Sequence, residues 1–528
     1  MRGSTLDGVG LGAGGPPIRN GRRGERRRRR RRALALGSAI VVVITVLGVG
    51  GYALTRGGSS SDSAAPVSTT STLPPTTTTT KPPYTGWVDP ASAFQPFYKS
   101  KVQGLITFRG NPTRNYYGMG PVPAAPKVVW KYPGGPMCSL SEDKGVTTNW
   151  CGNGWTAEPA VFERDGRTWV VFGAYDRAIH FVDAVTGQDI LPPFPTGDIV
   201  KGSVSVDPDG LPLIYIGSRD NYFRVIAIDR PQPTELWKLW AHDVSPTKWN
   251  DDWDGSGLVL GDYLFEGGEN SQIHIVKLNR AMGADGLITV KPQLIFHAPG
   301  WDDQLIAAVG SEVSIENSVS VSGNTLYFAN SGGLVQGWDI STLASGGTPT
   351  RIFRYWTGDD TDASVVIDDQ GMLYGGSEWE RHNAQSAAVG QMWKVNPANP
   401  AAPLVWSQKD QGASKAGVWG TPGIYKDLVV FTTYTGRLVG VDRTTGAIRW
   451  EKHLTSPIMG SPAFVDGKMI IGDCAGILHA YDVSNTLVDP PELWQVPLQS
   501  CIEATPAVWK GRIYVGTRGG FEYALADA

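Results

Sequence analysis

Short runs of alternating apolar and polar positions, closed by Gly-rich turns, fill the chain after residue 105 and predict β-strands. One pattern returns eight times. "WVVFGAYDRAIHFVD" from Trp169 and "VVFTTYTGRLVGVD" from Val429 are two copies; the others start at Leu213, Tyr263, Leu326, Leu373, Met469 and Ile513. Each copy follows another short strand, such as "GSVSVD", "GTPGIY", "GSPAFV" or "ATPAVW". Most are followed by a strand with a large apolar residue: Trp237, Trp406, Trp450 and Trp494, with Phe296 and Phe353 in looser copies. Four short strands at a period of about 50 residues make the blade of a β-propeller. The expectation is therefore an all-β, eight-bladed β-propeller. The eighth copy reaches Ala528 after its third strand, whereas "PKVVWKY", residues 126–132, has the character of a fourth strand with no blade of its own. Placing Trp130's strand in the last blade closes the ring and hides a sheet edge.

A different pattern precedes the repeats. Residues 33–54 carry no charge, and as a helix they extend roughly 33 Å, enough to span a bilayer core. The preceding residues 1–32 hold eleven arginines against Asp7 and Glu25. This bias places the N-terminus in the cytoplasm and the rest of the chain outside. A signal anchor is the preferred reading; a cleaved signal or a twin-arginine signal is the alternative. Residues 55–98 begin with a Ser/Thr/Pro-rich stretch that cannot bury a core, which predicts a disordered linker. The expected organisation is thus a basic cytoplasmic tail (1–32), a transmembrane helix (33–54), a linker (55–98) and a propeller (99–528). The location is a single-pass plasma-membrane protein with an extracytoplasmic, monomeric ectodomain.

Charge sharpens this picture. The whole chain of 528 residues has a formal net charge of −3, so with a surplus of nine positive charges in the tail the remainder carries −12. The large part has no basic face interleaved with aromatics, so nucleic acid is not expected as a partner.

The outer hairpin recurs most clearly as "GRLVGVDRTTGAIRW", residues 436–450. Asp442 at its head is expected to accept backbone N–H bonds in an Asx turn, with Gly446 supplying a positive φ. Trp450 is expected to pack between blades. Asp183, Asp229, Asn279, Asp339, Asn396 and Asp482 hold the same position in other copies, and recurrence with Asn allowed fits a turn role better than chemistry. The hairpin pattern, with "GSPAFVDGKMIIGD" and "ATPAVWKGRIYVGT", resembles the PQQ-like repeat. That family contains quinoprotein alcohol dehydrogenases, BamB-type propellers and cofactor-free binding propellers. The resemblance implies the fold over residues 105–528 and leaves the function open.

Sites are expected where the repeats differ. Aligned on the small residue before the Ser/Thr position of the first strands, the residues leading into the channel are Thr156, Lys201, Asp254, Glu316, Asp362, Trp419, Met459 and Glu503. Asp254, Glu316 and Asp362 fall in consecutive blades and are the candidate metal ligands, for Ca²⁺ or another hard cation. Lys201, Trp253, Trp301, Asn317 and Trp419 are candidates for holding a cofactor or polar ligand at the funnel mouth. If the chain is a quinoprotein, the resemblance implies Asp362 as its base and pyrroloquinoline quinone with Ca²⁺ as cofactors. The adjacent Cys pair of those enzymes is missing, which makes the quinone the less favoured cofactor. Four cysteines allow three connectivities, of which Cys138–Cys151 with Cys474–Cys501 is preferred. The seven His show no ligand spacing, and no G-x-S-x-G, phosphate loop or H-E-x-x-H occurs. The leading functional expectation is a binding or assembly platform for an envelope protein or polar small ligand. The alternatives are a Ca²⁺-dependent quinoprotein oxidising alcohols or sugars, and a glycan binder using Trp253 and Trp301.

Overall fold

The computed structural model describes residues 83–527. Eight sheets follow one another along the chain, each built on four antiparallel strands, paired in sequence order in the first seven. Blade 6 is typical: Gly423–Tyr425, Leu428–Thr432, Arg437–Asp442 and Ile448–His453. The first strands of the other blades are Ala160–Arg164 (blade 1), Ser205–Val206 (2), Leu258–Leu260 (3), Ser320–Ser322 (4), Val366–Ile367 (5), Ala463–Val465 (7) and Ala507–Trp509 (8). Blade 8 takes Pro126–Tyr132 as its fourth strand, in antiparallel register from Pro126↔Asp527 to Tyr132↔Glu522. The Asp527 carboxylate ties this junction by accepting from the Ala124 and Ala125 N–H groups at 3.0 and 2.7 Å. The ring is thus closed by the strand that the apolar pattern left without a blade.

The apolar face of each blade packs on the next. Trp450 of blade 6 lies with Phe464, Ile470 and Ala480 of blade 7 in one buried cluster. Each such fully buried apolar side chain contributes roughly 1.5–3 kcal/mol. The Ser/Thr that leads into the first strand of every blade but blade 1, where Glu158 stands, also has a reason. The Ser256 N–H donates to the Ser318 hydroxyl, Ser318 N–H to Ser364, Ser364 N–H to Thr421 and Thr421 N–H to Ser461, all at 2.9–3.0 Å. A ring of hydroxyls therefore laces the inner edges of the blades together.

The outer hairpins are Asx turns where the loop is short. The Asp442 Oδ1 accepts from the Thr444 and Thr445 N–H groups at 2.9 and 2.7 Å, and Asp183, Asp339, Asn396 and Asp482 do the same work. Gly446 has φ 74°, and a Cβ there would lie 2.5 Å from the Trp406 ring of blade 5. Asp229 and Asn279 depart from the pattern. In blade 3 the turn is replaced by an excursion containing Ala281–Met282 and Ile288–Thr289, and the Asp229 carboxylate accepts from the Ile288 N–H of that excursion at 2.6 Å.

Residues 104–119 lie ahead of the repeats and form an axial hub. Gly104–Leu105 joins the first strand of blade 1 and Gly118–Met119 that of blade 8. Between them, backbone or side-chain hydrogen bonds reach the other six blades. Arg114 donates to the Val319 and Ser256 carbonyls, Arg109 to the Pro462 and Pro422 carbonyls, and Asn115 to the Ile367 carbonyl. The Val206 N–H donates to the Ile106 carbonyl. Both arginines are fully buried.

The packed unit also begins earlier than residue 99. Trp87 donates its indole N–H to the Ile340 carbonyl at 2.8 Å and meets Tyr263 and Phe265 edge-on, while Val88 bridges Gly323. The end of the expected linker is therefore docked on blades 3 and 4. Among the described residues no helix is long and apolar enough to cross a membrane. The expected span at 33–54 and the rest of the linker lie outside those residues.

Cys138–Cys151 and Cys474–Cys501 are both bonded. The first staples a hairpin of Cys138–Asp143 and Val146–Cys151 that leads into blade 1.

Candidate functional site

Each leading residue stands just ahead of the first strand of its blade, beside the hydroxyls that lace the inner edges together. The leading residues therefore converge around the axis. Asp254, Glu316 and Asp362 line one small cavity of about 20 Å³, with Ser203, Ser318 and Ser364 between them. Trp155, Thr156, Ala157, Asn317 and Phe108 complete its lining. Trp155 also meets Trp419 at 5.3 Å between ring centroids, and Trp419 meets Tyr434 at 4.9 Å. Phe108 comes from the axial hub, next to the buried Arg109.

The acidic groups are not equivalent. Lys201 is bonded to Asp254 and lies 3.4 Å from Glu269 and 3.8 Å from Asp252. Arg219 also pairs with Asp252. Burial alone would lower the Lys201 pKa, but Asp254, Glu269 and Asp252 outweigh it and hold the ammonium charged. Burial raises the Asp252 and Glu269 carboxyls to about 7 against these cations. A second group comprises Asp360, Asp362 and Glu378, with ligand atoms within 4.8 Å of one another. Burial pushes all three well above the carboxylate range, helped by Glu316 beside Asp360, by Asp360 beside Asp362, and by Asp362 and Asp360 beside Glu378. Glu316 lies between the groups. Its Oε1 accepts from the Ser314 and Ser331 hydroxyls at 2.5 and 3.0 Å, and burial with the nearby Asp362 raises it to about 8.

The remaining candidates scatter. Trp253 is fully buried, edge-on to Phe223 at 5.7 Å and against His274 at 4.9 Å, so it is a core residue and not part of a mouth. Its Cβ sits against Gly217, which explains the glycine there. Trp301 covers the Leu305, Val313 and Leu334 cluster beside the short helix Asp303–Val309, away from the axis. Asn317 stays at the axial cavity, where its amide donates to the Ala329 and Thr361 carbonyls and its Oδ1 accepts from the Ala329 N–H. Asp302 caps that helix and pairs with Arg354 at 2.7 Å. Trp419 is at the axis, with an indole N–H that finds no partner.

Glu269 and Glu378 are the acids that sequence reasoning missed. Both lie two residues after the glycine that ends the second strand, Gly267 or Gly376, where the chain turns back to the channel. Aligning those glycines across the repeats would have found them. On the opposite face, Phe94, Tyr116, Met119, Tyr425, Phe464 and Asp466 line a cleft of about 530 Å³. Tyr425 and Phe464 stack there, 5.8 Å apart at 14°.

A quinone cofactor can be tested against this geometry. Small-molecule sites measure roughly 300–1,000 Å³, whereas the axial cavity is about 20 Å³ and is walled by Trp155 and Phe108. No two cysteines are adjacent. The residues present do not fit a tricyclic quinone at the axis.

The sheets together define an eight-bladed β-propeller. A family model described as outer membrane protein assembly factor BamB matches residues 390–520, from just before the third strand of blade 5 into blade 8. The quinohemoprotein alcohol dehydrogenase ADH IIB of Pseudomonas putida is 32% identical over 133 residues, covering 23% of this chain. The dehydrogenase subunit of a quinone-dependent alcohol dehydrogenase from Gluconacetobacter polyoxogenes is 27% identical over 143 residues, covering 24% of this chain. The matches span only 18% of the length of either relative. The crystal structure of the quinohemoprotein alcohol dehydrogenase from Comamonas testosteroni superposes with a TM-score of 0.53 at 13% identity, covering 80% of each chain. The chain is thus similar in fold to that enzyme, and its residues 390–520 are similar to the BamB family model.

Proposed function

We propose that the protein is a non-enzymatic binding or assembly platform, held outside the plasma membrane by residues 33–54. The observation that carries this reading is the sealed axis. At the axis this chain has a cavity of about 20 Å³ beside Trp155 and Phe108, far below the roughly 300 Å³ of the smallest ordinary ligand sites. The match to the BamB family model supports an assembly role, and the aromatic cleft at Tyr425 and Phe464 offers a recess of ligand size. The rival reading is a Ca²⁺-dependent quinoprotein, and the partial identity to quinohemoprotein alcohol dehydrogenases is its support.

One experiment separates the two. The full chain is incubated with pyrroloquinoline quinone and Ca²⁺, and reduction of an artificial dye is followed with alcohols and sugars. No turnover is expected; turnover above that of free quinone overturns the platform reading. In parallel, tagged full-length protein is cross-linked in its own envelope, as parent and as Tyr425→Glu. A partner captured by the parent and lost in the variant places binding at the cleft.

A further inference from the structure

The blades offer an internal comparison. In every blade from 2 to 8, the residue two positions after the end-glycine position of the second strand donates its N–H to the carbonyl two positions before the leading residue. Glu269 N–H donates to the Asp252 carbonyl at 3.0 Å in blade 3, and Glu378 N–H to the Asp360 carbonyl at 2.7 Å in blade 5. The same hydrogen bond links Arg219 to Ile199 in blade 2, Ser331 to Ser314 in blade 4 and Tyr434 to Gly417 in blade 6. Three side chains per blade are therefore held together by backbone geometry. In blade 3 they are Asp252, Asp254 and Glu269; in blade 5, Asp360, Asp362 and Glu378. These are the two carboxylate triads among the described residues whose ligand atoms all lie within 4.8 Å of one another.

The two triads differ in what neutralises them. The blade 3 triad receives the Lys201 ammonium from the leading position of blade 2, with Arg219 beside it. At the corresponding position of blade 4, the neighbour of the blade 5 triad is Glu316, another acid. On the other side blade 6 supplies Trp419 and Tyr434. No nearby cation takes the place of the lysine: Arg381 bonds to Glu312 and the Ser331 carbonyl and its charge offsets only part of the burial of Asp360, and Lys415 pairs with Glu380 at 3.6 Å. The Oδ1 atoms of Asp360 and Asp362 are out of contact with solvent and have no hydrogen-bond partner, and Glu378 is only 3% exposed. Buried carboxylates in this state need a cation or protons.

We infer that the blade 5 triad of Asp360, Asp362 and Glu378 is a site for a hard divalent cation, Ca²⁺ by preference, in the place where blade 3 holds a lysine ammonium. All three donors are carboxylate oxygens, the set that selects Ca²⁺ or Mg²⁺ over softer metals. Oxygens within 4.8 Å of one another can all touch one ion at the 2.3–2.6 Å typical of Ca²⁺, with water completing its shell. The loop is braced before any ion arrives: the buried Asp359 carboxylate accepts from the Glu380 and Arg381 N–H groups and the Ser386 hydroxyl. Such support around a site holds its ligands in place. The metal site thus lies within blade 5 and not across Asp254, Glu316 and Asp362, because Lys201 has already claimed Asp254.

The test uses Tb³⁺ luminescence of the purified full chain, excited through its tryptophans, with Ca²⁺ as competitor. The parent should bind one ion. Asp360→Asn and Glu378→Gln should each weaken it by at least about tenfold, and Asp254→Asn should not. Glu316→Lys should supply the missing ammonium and abolish binding. Lys201→Met should free the blade 3 triad and raise the stoichiometry to two. Circular dichroism checks that each variant is folded. As a second measurement, Ca²⁺ should raise the melting temperature of the parent and leave that of Glu316→Lys unchanged. The inference is overturned if the parent binds no ion at millimolar Ca²⁺, if Asp360→Asn and Glu378→Gln bind as the parent does, or if Glu316→Lys still binds. Its outcome is independent of the dye-reduction assay, since binding is read without turnover.

Discussion

Glu522, in the third strand of blade 8, faces the interior with a single partner. One carboxyl oxygen accepts from the Asn153 amide at 2.6 Å, and the other has no partner. Burial raises its pKa from 4.5 to about 8. The folded state therefore holds this proton more tightly than the unfolded chain, and stability falls as pH rises through the window from 4.5 to about 8. The slope from this group approaches roughly 1.4 kcal/mol per pH unit inside the window. Glu522→Gln keeps the acceptor for Asn153 and removes the titration. Thermal melts of the full chain from pH 5 to 9 should show a melting temperature that declines in the parent and is flatter in the variant. Equal slopes would remove Glu522 as the source. The same scale explains why two similar acids differ in fate. Asp254 and Asp362 occupy the same position in blades 3 and 5, and what separates them is the residue one blade earlier, Lys201 in one case and Glu316 in the other.

At the scale of elements, the docked segment before the propeller repeats a device used between blades. Trp406 donates its indole N–H to the Arg443 carbonyl, the residue after the Asp of the next outer hairpin, and Trp130 does so to the Ala184 carbonyl. Blade 3 has Phe296 where such a tryptophan would stand, and Trp87 enters from outside the repeats to bond the Ile340 carbonyl, the residue after Asp339. Trp87→Ala should cost about 2–3 kcal/mol, below the full burial value because the ring is partly exposed. Limited proteolysis should then cut within residues 84–98 faster than in the parent; an unchanged cleavage rate would show that Val88 and Phe97 hold the segment alone. The strands themselves were legible because alternation is local, and each copy repeats the evidence of the last. The hub was not, because Arg109 and Arg114 are bonded to carbonyls of blades hundreds of residues away, and a fully buried arginine looks like a surface arginine in sequence. The site was half legible. Aligning the first strands found Asp254, Glu316 and Asp362, but Trp253 was misplaced because its packing against Gly217 and His274 depends on the neighbouring strands. Glu378 was passed over because its partners lie on a different strand of its blade.

The whole molecule depends on a ring whose two ends meet only through hydrogen bonds and packing. Pro126–Tyr132 covers the edge of Phe521–Asp527, and Trp130 continues from this strand onto Gly187 of blade 1, where a Cβ would lie 2.8 Å from the indole. One short strand therefore satisfies the last open sheet edge and packs the last blade-to-blade boundary. Replacing residues 126–132 with a flexible Gly/Ser segment of equal length removes both at once and leaves every other strand pairing intact. The uncovered strand then presents a row of unpaired backbone groups, which recruits any strand able to pair with it, including one from a second copy. The expected result is a cooperative unfolding transition at lower temperature and concentration-dependent self-association, measured by calorimetry and by light scattering after size exclusion. The hub makes a sharper distinction possible. If residues 104–119 alone hold the eight blades in register, the variant will melt lower but stay monomeric, because the gap between blades 8 and 1 will not open. If closure by Pro126–Tyr132 is required, the dimer fraction will grow with protein concentration and fall when a peptide of sequence PKVVWKY is added back in excess. The second outcome is expected, since the hub bonds blades 1 and 8 only at their inner edges, through Gly104–Leu105 and Gly118–Met119, while the exposed edge is the outermost strand.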